Sequence, residues 1–277
     1  MTLSGADVRR LLNQHGLAPS RARGQNFVVD PNTVRRIARL AGVGAGDRVV
    51  EIGAGLGSLS LALAETGASV TAIEIDGRLV PALRSVVEPA GVTVVEGDAL
   101  RLDWAALLGD GPWVLVANLP YNVATPLVAD LLDGVPAISR MLVMVQREVG
   151  ERLAAGPGDE AYGAVSVKVA YWATAKVVGR VPPTVFHPVP KVESALVRID
   201  RRPAPAVGAG VDPAWLFTLV RAGFGQRRKM LRRSLASLVD SSAFEAAGIR
   251  PEARAEELAV DDWGRLAACT SSGRPPS

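Results

Sequence analysis

An apolar run from Trp113 to Ala117 stops abruptly at Asn118, Leu119, Pro120 and Tyr121. A turn accounts for the amide and the proline but not for the aromatic ring that follows at once. Together the four residues can act on a poorly nucleophilic amine, such as the exocyclic nitrogen of adenine, whose lone pair is delocalised into its ring. The Asn118 amide oxygen and a backbone carbonyl near Leu119 or Pro120 can each accept one N–H. That draws the nitrogen toward a tetrahedral shape and aims its lone pair. Pro120 restricts the backbone that presents the carbonyl. Tyr121 offers a face for the base, a contact worth about 1–3 kcal/mol. No strong base is required, because the alkylated amine is acidic and releases its proton to water.

Three further sites must lie near this motif if it is catalytic. In the stretch 51–60, Gly53, Gly55 and Gly57 follow an apolar run and open a helical pattern. Glycines there let backbone approach a ligand at the carboxyl end of a sheet, although a tight turn explains them as well. Their spacing is G-x-G-x-G with Ser58 next, which departs from the dinucleotide fingerprint. Glu74 ends the next apolar run about 20 residues on, where ribose hydroxyls are commonly held. Asp98 ends a third run and can accept from an adenine amino group or cap a helix. A ribose acid and an adenine acid without a phosphate cradle fit S-adenosylmethionine better than a nicotinamide dinucleotide.

The elements that must position these groups are read from periodicity. Residues 48–54, 69–75, 92–98, 113–119 and 140–146 form short β-rich apolar runs, separated by helical patterns at 57–66, 78–88 and 124–133. Such alternation predicts a doubly wound, mostly parallel sheet. Runs 175–181 and 194–200 add two strands, joined without a helix, that can pair antiparallel at one edge. This gives a seven-stranded α/β domain over 1–204. Residues 201–213, rich in Pro, Gly and Ala, read as a linker. An all-helical domain over 205–277 follows, with helices at 213–223 and 226–240, shorter ones to about 269, and a disordered tail. In the second helix Leu231, Leu235 and Leu238 share a face. The first residues read as a short amphipathic helix with Val8, Leu11 and Leu12 on one side.

Composition narrows the function classes. The chain has 277 residues, 48% of them apolar, enough for a full core. It shows no apolar run long enough for a membrane span and no signal-type start. One cysteine excludes an internal disulfide, and two histidines argue against a metal centre. A cytoplasmic monomer is the expectation. Net charge is only +3, but Arg221, Arg227, Arg228, Lys229, Arg232 and Arg233 crowd residues 221–233 without an acid. Arg9, Arg10, Arg21 and Arg23 form a second basic region. Such patches suit a phosphate backbone, although a solvated helix face has the same composition.

The motifs "GQNFVVDPNTVRRI" (24–37), "EIGAGLG", "IEID" (73–76), "GDA" (97–99), "NLPYN", "VFHPVPKVESALVR" (185–198) and "FGQRRKMLRRSL" (224–235) occur in the order seen in one family. The chain resembles, over nearly its whole length, the KsgA/Dim1 family of ribosomal RNA adenine N6,N6-dimethyltransferases. The resemblance implies a Rossmann-like methyltransferase domain and a small helical RNA-recognition domain. It implies S-adenosyl-L-methionine held by Asn26, Val28, Gly53, Glu74, Asp98 and Asn118, and a catalytic motif of Asn118, Leu119, Pro120 and Tyr121. Phe186 becomes a second aromatic wall around a flipped base; read alone, it is a core residue before a Pro-rich loop. Arg21 and Arg23, with the basic residues of 221–233, become RNA contacts. The implied substrate is two adjacent adenosines near the 3′ end of 16S rRNA, in the 30S subunit late in its biogenesis. Departures are small: Ala54 stands where the family commonly has Pro, Val28 where it often has Leu, and Gly225 where Asn or Ala is frequent.

Three other readings compete. An erythromycin-resistance-type enzyme has a similar catalytic domain but modifies large-subunit RNA; the "QRRK" stretch and following helices favour the small subunit. A non-catalytic assembly factor would not need an intact "NLPYN". A nicotinamide-dependent oxidoreductase lacks both the glycine spacing and a hydride-transfer partner.

Overall fold

The computed structural model describes residues 2–20, 24–121 and 123–270. Its strands are β1 (Phe27–Val28), β2 (Arg48–Ile52), β3 (Ser69–Glu74), β4 (Thr93–Glu96), β5 (Trp113–Asn118), β6 (Ile138–Gln146), β7 (Ala173–Val181), β8 (Phe186–His187) and β9 (Ser194–Arg201). Seven form one sheet in the order β4-β3-β2-β5-β6-β9-β7. β4, β3, β2, β5 and β6 run parallel, and β9 lies antiparallel to β6. The central parallel strands β2, β5 and β6 are the most continuously buried, as expected of parallel strands covered on both faces. Val49, Val50, Leu115, Val116, Met141 and Val143 are buried. Strand order reverses between β2 and β5, and the crevice outside the carboxyl ends at such a switch is where open α/β sheets bind ligands.

Helices Ser58–Ala64, Val80–Val87 and Ala124–Gly134 follow the strands as the sequence pattern predicts. The first helix, Gly5–Gln14, buries Val8, Leu11 and Leu12 and is closed by a capping box between Ser4 and Asp7. Helix Pro31–Ala41 has no counterpart in the periodicity reading, though its ends are locally encoded. Asp30 accepts from the Asn32 and Thr33 amides, Pro31 opens the first turn, and Gly42 closes the helix at φ 61°. Just before it, β1 pairs with β8 as a separate two-stranded sheet, Val28 opposite Phe186.

Two compact units emerge. One comprises Met1–Glu151 and Lys176–Arg201; the other comprises Arg152–Ala175 and Arg202–Ser277. This differs from a single boundary at 204/205. Helix Ala164–Trp172 shares a core with the later helices: Val167 and Tyr171 belong to one cluster with Trp215, Phe217, Phe244 and Trp263. Nor is 201–213 a bare linker. The Arg202 and Ala206 amides donate to the carbonyls of Trp172 and Tyr171, and Val207 is buried.

The predicted helix 226–240 is not continuous. Helix Pro213–Gly225 ends, a turn covers 226–229, and a short helix runs Leu231–Ser234. Met230 is extended, at φ −62° and ψ 148°. The Leu231 and Arg232 amides donate to the carbonyls of Ala253 and Pro251, so distant backbone acceptors replace intrahelical ones. Asp240 caps a new helix, Ser241–Ala246, instead of ending the old one. Leu231 and Leu235 remain fully buried and Leu238 half-buried.

Among the described residues, no helix is long and apolar enough to cross a membrane. No three His, Cys, Asp or Glu side chains among them converge in a way that could hold a metal ion.

Candidate functional site

At the carboxyl edge of the sheet one cleft is lined by Asn26, Val28, Gly53, Glu74, Asn118, Leu119, Pro120 and Tyr121. A neighbouring cleft of about 410 Å³ shares Gly53, Ile75 and Pro120 with it and adds Asp98, Ala99 and Leu100. Of the residues assigned to catalysis and cofactor from sequence, only Phe186 is absent from both linings. Phe186 is 2% exposed and packs in the core with Val28, Val116, Met144 and Leu196. Its antiparallel pairing opposite Val28, which does line the cleft, sets it there, one layer behind that lining.

The glycine turn is built by backbone hydrogen bonds. The amides of Gly53 and Ala54 both donate to the Ile73 carbonyl, tying the end of β2 to β3. All three glycines have positive φ, but each lacks a side chain for a different reason. A Cβ on Gly55 would come 2.9 Å from the Phe27 ring, and one on Gly57 would collide with Val87. A Cβ on Gly53 would stand 3.8 Å from both the Asn118 carbonyl oxygen and Pro120 Cδ, without collision. Gly53 thus lines the cleft with bare backbone, Gly55 makes room for Phe27 of β1, and Gly57 lets helix Val80–Val87 close on the turn.

Glu74 is 5% exposed, and both its oxygens are engaged. Oε2 accepts the Gly55 amide at 2.8 Å and Oε1 the Asp76 amide at 2.9 Å. Burial raises its pKa, and these two N–H donors pull it back. Each oxygen keeps a further lone pair for a diol. Asp98 is partly exposed. Its Oδ1 takes the Leu100 amide at 3.0 Å, and its carbonyl accepts from Arg101 and Leu102. The carboxylate therefore both organises a turn and lines the cleft.

Asn118 ends β5. Its Nδ2 donates to the Asn26 carbonyl at 3.1 Å. A carbonyl can only accept, so this contact settles the amide orientation: Oδ1 is the atom left to accept from a ligand. Leu119 is buried, and its amide donates to the Met144 carbonyl at 3.0 Å. The Pro120 carbonyl accepts from Val123 at 3.2 Å. The Tyr121 hydroxyl sits 2.9 Å from Ser194 Oγ, and burial raises its pKa.

Four residues here escape the sequence reading. Gln25 donates to Asp76 at 3.0 Å and accepts the Ser20 amide at 2.7 Å, tying the residue before Asn26 to the turn that follows β3. Asp76 is 2% exposed and also receives Arg78. Glu51, 2% exposed, lines the cleft and takes the Ser60 hydroxyl; burial pushes its carboxyl up to about 8. Ser194 is the fourth. An acid within the apolar run 48–54 was the available signal for Glu51; the others depend on contacts distant in sequence.

The basic residues divide into two groups. Arg227 donates to Glu256 and to the Glu160 carbonyl, both at 2.7 Å, and Arg232 pairs with Glu252 at 3.2 Å. Arg221 donates to the Thr218 hydroxyl. Arg228, Lys229 and Arg233 are exposed and have no ion-pair partner among the described residues. Arg21 and Arg23 lie outside the described residues, as do Asn122 and the tail 271–277.

A sequence profile of the family described as ribosomal RNA adenine dimethylase matches residues 20–271. Ribosomal RNA small subunit methyltransferase A of Thermobifida fusca (strain YX) is 50% identical, over 96% of this chain and 95% of that protein. Among solved structures, the 23S rRNA methyltransferase ErmE superposes with a TM-score of 0.69 at 26% identity, covering 88% of this chain and 99% of that one. A dimethyladenosine transferase from Plasmodium falciparum reaches 0.73 at 24% identity, over 86% and 94%, a likeness of fold.

Proposed function

The chain belongs to the ribosomal RNA adenine dimethylase family, and from that premise we propose that it methylates the exocyclic N6 of two adjacent adenosines near the 3′ end of 16S rRNA, giving N6,N6-dimethyladenosine. In this reading the methyl donor is S-adenosylmethionine, the partner is the 30S subunit late in its assembly, and the enzyme works as a monomer in the cytoplasm. The observation that carries the chemistry is the Asn118 amide in the cleft lining, whose Nδ2 is committed to the Asn26 carbonyl so that Oδ1 is the atom left to accept.

The residues present fit the methyl donor. Gly53 offers bare backbone to the cleft, Glu74 offers lone pairs for ribose hydroxyls, and Asp98 offers an acceptor for the adenine amine. The bound cofactor supplies an electrophilic methyl on a sulfonium. The chain supplies alignment. Asn118 Oδ1 accepts one N–H of the target amine. A backbone carbonyl, that of Leu119 or that of Pro120, is the partner acceptor; the Pro120 oxygen also receives the Val123 amide and keeps a second lone pair. In the first transfer two acceptors on two N–H bonds turn the nitrogen lone pair toward the methyl; in the second the one remaining N–H is held by one acceptor, and in both the gain is one of orientation. Tyr121 provides the stacking face. After transfer the proton leaves to water. Arg228, Lys229 and Arg233, together with Arg21 and Arg23, contribute contacts to RNA phosphates.

Methyl-labelled S-adenosylmethionine, incubated with unmethylated 30S or 50S subunits, tests this. Label is expected in 16S rRNA as N6,N6-dimethyladenosine. Label confined to 23S rRNA would make the chain an erythromycin-resistance-type enzyme, and subunit binding without label would make it an assembly factor.

A further inference from the structure

Tyr121 is the one residue of the 118–121 motif with a face on which a base can stack. A tyrosine ring turns about two side-chain torsions, so backbone rigidity at Pro120 does not fix its plane. What fixes it here is at the far end. The Tyr121 hydroxyl lies 2.9 Å from the Ser194 hydroxyl. Ser194 is 0% exposed and is the first residue of β9, in register with Gln146 of β6. In turn β6 pairs Met144 with Asn118 and accepts the Leu119 amide on the Met144 carbonyl. The anchor of the ring and the amide that meets the amine therefore belong to three adjacent strands of one sheet, with no loop between them.

We propose that Ser194 is a positioning residue for methyl transfer: by holding the Tyr121 hydroxyl it sets the plane of the ring against which the target adenine lies. The inference rests on the adenine-N6 reading above. It gives a role to a buried hydroxyl that lines neither cleft. A buried serine needs some hydrogen-bond partner for stability alone, so the test must separate holding the ring from filling the sheet.

Ser194→Ala, Tyr121→Phe and the double variant are compared in single-turnover transfer to unmethylated 30S subunits at saturating S-adenosylmethionine. Each single change is expected to slow transfer about tenfold, and the double variant to be no slower than either, because both remove one bond. Affinity for the demethylated cofactor product should stay within about twofold. If Ser194→Ala folds poorly, Ser194→Cys keeps the volume and loses most of the bond. Losses that multiply in the double variant, or full transfer by a folded Ser194→Ala, would overturn the proposal. A second readout needs no RNA. The chain has three tyrosines; with 3-fluorotyrosine in place of each, the ¹⁹F resonance that Tyr121→Phe deletes is Tyr121. Ser194→Ala should shift that resonance and leave the other two. An unmoved resonance overturns the hold itself, whereas failure of the wild type to methylate adenine overturns the reading beneath it.

Discussion

Glu51, Glu74 and Asp76, the buried carboxylates among the described residues, all lie in the sheet unit. There they receive backbone amides, a serine hydroxyl and an arginine, and they shape the loops around the cleft. The helical unit buries hydroxyls instead. Ser234 and Thr270 bond to carbonyls of their own helices, and Thr270 also receives Trp215. Its charges stay outside, some paired as Arg227–Glu256, others bare as Arg228, Lys229 and Arg233. Aligning one amine demands fixed atoms, and fixing atoms demands buried polar groups. Gripping a phosphate backbone demands only cations in number. The sheet unit should therefore respond to the loss of single atoms and to pH, and the helical unit to charge count and salt.

Asn118→Ala gives the contrast its hardest test. Loss of one aligned acceptor should slow transfer about 10²–10³-fold, or about 3–4 kcal/mol, while 30S binding persists. Single-turnover assays and filter binding separate the two. Near-normal transfer by a folded variant would return Asn118 to the role of a turn residue.

Next in size is the effect of pH through Glu51. Its folded pKa of about 8 lies above the ordinary carboxylate value of 4.5. The group's contribution to stability is thus complete below about pH 4.5 and is lost as pH rises through about 8. Glu51→Gln has no proton to lose. Between pH 5 and 9, unfolding free energies from urea titrations should move in favour of the variant by about 2–4 kcal/mol. A difference independent of pH would mean the carboxyl ionises without penalty, and the contrast between units would weaken.

The smallest effect expected is in the helical unit. Replacing Arg228, Lys229 and Arg233 by Ala should weaken 30S binding about tenfold at moderate salt and flatten its salt dependence. Replacing the paired Arg227 and Arg232 should change the salt slope less and lower stability by up to about 1 kcal/mol. A reversal of the two sets would show that the ion pairs open on binding.

Much of this contrast is legible in the chain itself. The five parallel strands can be read because each is a short apolar run in a strand–helix alternation, and the last two because two further β-rich runs follow with no helical pattern between them. Asn118, Gly53, Glu74 and Asp98 can be placed at one edge because each terminates such a run. The remainder depends on partners far along the chain. The pairing of β1 with β8 joins strands of two residues, too short for a period, and with it goes the burial of Phe186. The Tyr121–Ser194 contact spans 73 positions. The helix at 226–240 fails because amides at 231 and 232 find carbonyls at 253 and 251, a competition that local propensity does not register.

The strand order also bears on synthesis. β9 lies between β6 and β7 although it is made after both. When β7 leaves the ribosome, its place beside β9 does not yet exist. Helix Ala164–Trp172 waits longer, since the cluster that covers Val167 and Tyr171 extends to Ala267. At about 5–20 residues per second that is roughly 5–20 s with an apolar helix uncovered. Neither compact unit is a continuous stretch of chain, so a chain ending near residue 205 and released from the ribosome would carry all the strands of the sheet and an orphaned helix. That species is the one expected to engage chaperones, and a C-terminal truncation would make it permanent.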